Sequence, residues 1–142
     1  MRSYCAVLAL VLIVAAAPGA PQDTPHQTPL LDCMESMKVE LKGIAMSLQG
    51  KDEVKALEHI AAMQSLVLLA KLELPPNLDQ IPEEGRAAHR VGFRKELIAV
   101  LKELAVMEEH VLDGDLEAAF KSVIDPLYPL RERAHEAYQR KE

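Results

Sequence analysis

Four separate stretches of this chain repeat apolar residues at alternating intervals of three and four, and that spacing restricts it to packed helices. Met34, Met37, Leu41, Ile44 and Leu48 make the first stripe; Ala56, Ile60, Met63, Val67, Ala70 and Leu74 make the second. Phe93, Leu97, Val100, Leu104, Met107 and Val111 form the third, and Leu116, Phe120, Val123, Leu127, Leu130, Ala134 and Ala137 the fourth. A helix turns once in about 3.6 residues, so each set lies along one face, whereas a strand would need every second residue apolar. Helices with one narrow stripe bury it by packing nearly parallel to one another. The expected fold is all-α, an antiparallel up-down-up-down four-helix bundle over residues 30–142.

The breaks between stripes carry their own chemistry. Gly50-Lys51-Asp52 places a glycine where a helix ends and an aspartate where the next begins. Pro75-Pro76 cannot continue the second helix, and Pro82 prolongs that connection to about residue 84. Asp113-Gly114-Asp115 is a short turn with Asp115 as the expected N-cap. Pro126 and Pro129 fall inside the fourth stripe, whose register runs on across them. A kink or a restart of the fourth helix is expected there, not a further element.

Ahead of the stripes lies a different kind of sequence. Arg2 is followed by an unbroken apolar run from Cys5 to Ala17, then by small residues up to Ala20. That is the layout of a secretory signal peptide over residues 1–20, and the run is too short for a comfortable membrane span. Residues 21–29, rich in Pro, Gln and Thr, read as a flexible lead-in. Arg2 is the leader's only charge, so a whole-chain balance of 16 basic and 22 acidic side chains, net −6, becomes −7 once the leader is gone. An acidic exported domain of this kind is not expected to bind nucleic acid or to insert in a membrane after leader removal. Cys5 leaves with the leader, so Cys33 is alone and forms no internal disulfide. The oligomeric state is left open.

The residues able to carry chemistry are few. Met37, Met46, Met63 and Met107 lie on or beside stripes and read as core, where methionine fills irregular gaps. His26 belongs to the lead-in, and His59, His89 and His110 flank their stripes as solvated or partly buried side chains. Met34 and His135 stand apart by position. One opens the first helix and the other lies near the end of the last, so an antiparallel bundle of four brings both to the same end. A thioether and an imidazole facing each other across a bundle are an axial pair for haem iron. Glu132 and His135 make a single Glu-x-x-His, but a di-iron site needs two such units with further inward glutamates, and they are absent. His-Glu-x-x-His, Cys-x-x-Cys-His, a phosphate-binding glycine loop and a Gly-x-Ser-x-Gly turn are also absent. No enzymatic residues are visible.

An ordered set of short motifs resembles one family across roughly residues 30–140. Cys33-Met34-Glu35-Ser36-Met37 through Leu41-Lys42 is similar to the first helix of the cytochrome b562 family, periplasmic haem b proteins. Pro75-Pro76 after the second helix, Val91-Gly92-Phe93 opening the third and Arg131-x-x-x-His135-x-x-Tyr138 follow in the family's order. The resemblance implies Met34 and His135 as axial ligands of a non-covalent haem b, with its iron as the bound metal. It implies Phe93 packed against the porphyrin and Arg131 near the haem edge. His89 replaces an aromatic of the family pattern one turn before Phe93. The implied function is electron transfer in the periplasm with an unidentified redox partner protein. The alternative is a haem-free periplasmic helical bundle acting as a binding or stress-related interaction module.

Overall fold

The computed structural model describes residues 29–141, so the leader and all but the last residue of the lead-in lie outside the described residues. The chain forms α1 (Pro29–Gln49), α2 (Glu53–Ala70), α3 (Glu83–Leu112), α4 (Leu116–Ser122) and α5 (Tyr128–Tyr138). A 3₁₀ turn, Leu78–Gln80, interrupts the linker between α2 and α3. A single π-helical stretch, Val123–Leu127, joins α4 to α5. The two form one helical rod, so the architecture is a four-helix bundle with no strand among the described residues. Helix α1 opens at Pro29, inside the expected lead-in, because proline suits the first helical position, where no N–H partner is needed.

The prolines of the fourth rod are absorbed without leaving the helical region. Pro126 has no N–H for the carbonyl four residues back, and the Ser122 hydroxyl donates to Ala118 O at 3.2 Å. The chain widens by one residue, so that Tyr128 N–H reaches back five positions to Val123 O. Pro129 then sits in the first turn of α5, which tolerates it.

Both tight turns end their helices in the same way. Gly114, at φ 76°, takes the left-handed position after α3, with Gly114 N–H bonded to Val111 O at 3.0 Å and Asp115 N–H to His110 O at 2.8 Å. After α1 the left-handed residue is Lys51, φ 55°, not the expected Gly50, which is still within the helical hydrogen bonding to Met46 O. A side chain in that conformation costs about 1–2 kcal/mol. Lys51→Gly is therefore expected to raise stability by up to about 1 kcal/mol, read as a higher denaturant midpoint with unchanged m-value. Asp52 and Asp115 cap α2 and α4 by accepting from Lys55 N–H at 3.1 Å and Ala118 N–H at 2.9 Å.

The stripes mostly become core. Ile44, Ile60, Val67, Leu104, Met107, Val111 and Val123 are wholly enclosed, each burial contributing about 1.5–3 kcal/mol before chain entropy is counted. Helix α2 ends at Ala70, short of the expected Leu74, since the rings of Pro75 and Pro76 would collide with carbonyls one turn earlier. Leu74 is consequently exposed, as are Met46, 61% accessible, and Ala137, all three read as stripe or core residues from the sequence. Ala119, off the expected fourth stripe, is fully buried instead. The face of α4 turns by one residue because the extra residue of the π turn shifts the register between α4 and α5.

Candidate functional site

Apart from the main core, a second apolar cluster closes one end of the bundle. Leu30, Ala70 and Phe93 are its buried members, and Cys33, Met34, Met37, Leu97 and Tyr138 pack partly buried against it. These residues come from the start of α1, the end of α2, the first half of α3 and the end of α5. Met34 thus lies half-buried in the same cluster as Phe93. The Phe93 ring meets that of Tyr138 edge to face, with centroids 5.2 Å apart. Tyr138 is three residues beyond His135, on the same side of α5. Met34, Phe93, Tyr138 and His135 are therefore gathered at one end of the bundle.

Helices α3 and α5 are held together closely there. Arg133 donates from Nε and Nη2 to the two carboxylate oxygens of Glu96, at 3.2 and 2.9 Å. Four residues earlier on α3, Gly92 lies under Tyr138, whose hydroxyl occupies the place a Cβ would take, 2.6 Å from it. Glycine is required at that crossing because any side chain would displace the tyrosine. Burial pushes the Tyr138 phenol above its ordinary value of 10.0, with Glu96 adding to the effect and Arg133 opposing it. The neutral phenol is thus favoured by the fold. Its contribution is complete below the unfolded value of about 10 and is lost as pH rises through the higher folded value. Phenolate absorbance missing from Tyr138→Phe, relative to wild type, is expected to be the part that appears above pH about 10; absorbance missing at lower pH would contradict the burial argument.

Helices α1 and α5, which carry Met34 and His135, keep their backbones apart along most of their length and meet through side chains of the end cluster. A cavity of about 300 Å³ lies between them, lined by Lys38, Leu41, Lys42, Ala45 and Met46 from α1 and by Tyr128 and Arg131 from the other rod. Arg131 is half-buried on this wall and donates from Nη1 to Glu132 at 2.8 Å. His135 is half-buried in the last turn of α5, and its imidazole makes no hydrogen bond among the described residues. On α3, His89 donates from Nε2 to Asn77 Oδ1 at 2.7 Å and lies 4.8 Å from the Tyr138 ring. Cys33 is a half-buried free thiol beside Met34.

Of the four residues read from the sequence, Met34 and Phe93 share the end cluster, His135 stands three residues before Tyr138 on α5, and Arg131 lines the separate cavity between the rods. What the sequence reading missed is Asn77. It is the most enclosed polar side chain there, 6% accessible, and it follows the diproline with no motif to mark it.

The donor set suits haem. The Met34 thioether packs in the aromatic end cluster, the His135 imidazole stands three residues before Tyr138 of that cluster, and Lys38, Lys42 and Arg131 edge the cavity between the two helices, which neither donor lines. Soft sulfur and imidazole nitrogen are iron ligands of haem proteins, while Arg and Lys match carboxylate side groups. No three-residue cluster of His, Cys, Asp or Glu able to hold a bare metal ion occurs among the described residues.

A helical bundle with this end is the architecture of a haem b carrier. The family model described as cytochrome b562 matches residues 30–139, and the chain belongs to the cytochrome b562 family. The family is periplasmic and consists of haem b-binding helical bundles that carry electrons. No curated protein matches the chain. Among the described residues no helix is long and apolar enough to cross a membrane.

Proposed function

We propose that this protein is an exported, periplasmic electron carrier that holds one non-covalent haem b between Met34 and His135. The observation that supports the reading is the packing of Met34, Phe93 and Tyr138 in one end cluster, with His135 three residues before Tyr138 and a cavity between α1 and the fourth rod nearby. Bound there, haem supplies a one-electron iron couple. The protein's own contributions follow from its side chains. Met34 Sδ and a His135 ring nitrogen would hold the iron, as a thioether and an imidazole donor. Phe93 and Tyr138 exclude water from one wall of the site. Arg131 balances negative charge at the open edge. Thioether ligation favours the reduced iron relative to two imidazoles, which fits a carrier that accepts electrons readily.

The test is a titration of the protein with haemin followed by its visible spectrum. A saturable one-to-one rise of a sharp Soret band with a low-spin spectrum is expected, and reduction should be reversible. A protein that gives no saturable spectral change is a haem-free bundle, and a role as an interaction module then replaces this reading.

A further inference from the structure

Helix α5 is poorly equipped to hold its own end. It is the last segment of the rod that begins at Leu116, and its free end is where that rod is least supported. His135 O still accepts from Gln139 N–H at 3.0 Å, but the carbonyls beyond it have no donor within the helix. No glycine follows to fold the chain back over them; Gln139 passes to extended backbone, at φ −69° and ψ 139°. His135 stands in that last turn, where helices ordinarily fray.

The linker between α2 and α3 closes this end from outside. Buried Asn77 donates from Nδ2 to Ala137 O at 2.9 Å, satisfying a carbonyl the helix leaves unpaired. The other end of the same amide, Oδ1, accepts the His89 Nε2 proton. Two residues on, Asp79 pairs with Arg140 at 2.9 Å. The Gln80 side chain donates to Lys141 O at 2.7 Å and accepts from Lys141 N–H at 3.2 Å. The exposed contacts add little singly, but the Asn77 side chain is buried and its bond to Ala137 O is partly buried, and losing it leaves Ala137 O and His89 without that partner.

We propose that the Asn77–Gln80 turn is a positioning device for His135, capping α5 through Ala137 O so that the imidazole keeps the aim an iron ligand needs. This rests on the reading of His135 as an axial ligand. Asn77 acts only through the Ala137 carbonyl. Ligand sites lose function when the supporting contacts are loose by about 1 Å, so a frayed last turn would weaken the iron bond without unfolding the bundle.

The test compares haemin-loaded whole protein with its Asn77→Ala, Asn77→Asp, Gln80→Ala and His135→Ala variants. Haemin loss to excess apomyoglobin, ferric spin state and helicity are the readouts. Asn77→Ala is expected to lose haemin roughly 10-fold faster, the scale of an outer-shell change at a metal site, and to show mixed spin while staying helical. Asn77→Asp keeps the acceptor for His89 but has no N–H for Ala137 O, so it should match Asn77→Ala. An Asn77→Asp protein with the wild-type rate would overturn the proposal. So would an Asn77→Ala protein that melts earlier but keeps the wild-type rate and spin state. Should Asn77→Ala fail to fold, Gln80→Ala decides: faster loss supports the device, and an unchanged rate refutes it. His135→Ala with an unaltered spectrum would refute the axial reading itself, independently of the Asn77 variants.

Discussion

Haemin-loaded His135→Ala is expected to lose its low-spin spectrum and most of its affinity, by more than the roughly 10–100-fold that follows loss of an outer-shell partner at a metal site. In the proposed site imidazole is the stronger of the two ligands to ferric iron, so its removal would leave only a thioether. Met34→Leu should act differently. The swap roughly conserves volume, and its effect on folding should stay below about 1.5 kcal/mol. The bundle should therefore remain helical, keep haemin, shift to high spin and lower its midpoint potential, because the ligand that favours reduced iron is gone. The pair separates a ligand role from a packing role. As packing residues, Met34 and His135 would change stability and leave the haemin spectrum untouched. Circular dichroism with optical titration of both variants checks the contrast.

How much of this was legible before the structure depends on the kind of signal. The four stripes were readable because amphipathic periodicity is local, and it correctly indicated Ile44, Ile60, Leu104 and Val123 as core. It overreached where backbone chemistry intervened. Leu74 fits the period of α2, yet the diproline ends the helix at Ala70. Ala137 fits the fourth period yet is exposed at the end of α5, and Ala119, off that period, is buried because the π turn around Pro126 shifts the register of α4 against α5. Lys51 takes the left-handed position although Gly50 is adjacent, because the chain reverses one residue later than composition suggests. The site was legible only in part. Motif order and the counting of helices suggested Met34, Phe93, Arg131 and His135 as one set, and of these the structure packs Met34 and Phe93 in one cluster. Asn77 was not suggested, since its bond to Ala137 O spans 60 residues and no local pattern encodes such a pairing. Nor was the Gly92–Tyr138 contact, which only the crossing of α3 and α5 creates.

The second large effect should fall on the main core and spare the end of the bundle. Leu104 is completely enclosed, among Ile44, Ile60, Val67 and Val123 in the main cluster. Leu104→Ala removes several methyl and methylene groups and leaves a hole the surrounding helices fill only in part, costing about 2–5 kcal/mol. Against a typical domain stability of about 5–15 kcal/mol, that is a large fraction, and it should appear as a much lower denaturant midpoint. Phe93→Ala carries a comparable cost of about 3–5 kcal/mol, but Phe93 belongs to the end cluster with Met34 and packs edge to face on Tyr138. The two variants should therefore diverge in haemin binding. Below its melting point Leu104→Ala should retain the wild-type low-spin spectrum, since its cluster contains neither Met34 nor His135. Phe93→Ala should lose haemin faster and show a broadened Soret band, because one wall of the site has been removed and water can enter. Equal spectral damage from both substitutions would mean that haemin is not held at this end, and the site would have to be sought elsewhere in the bundle.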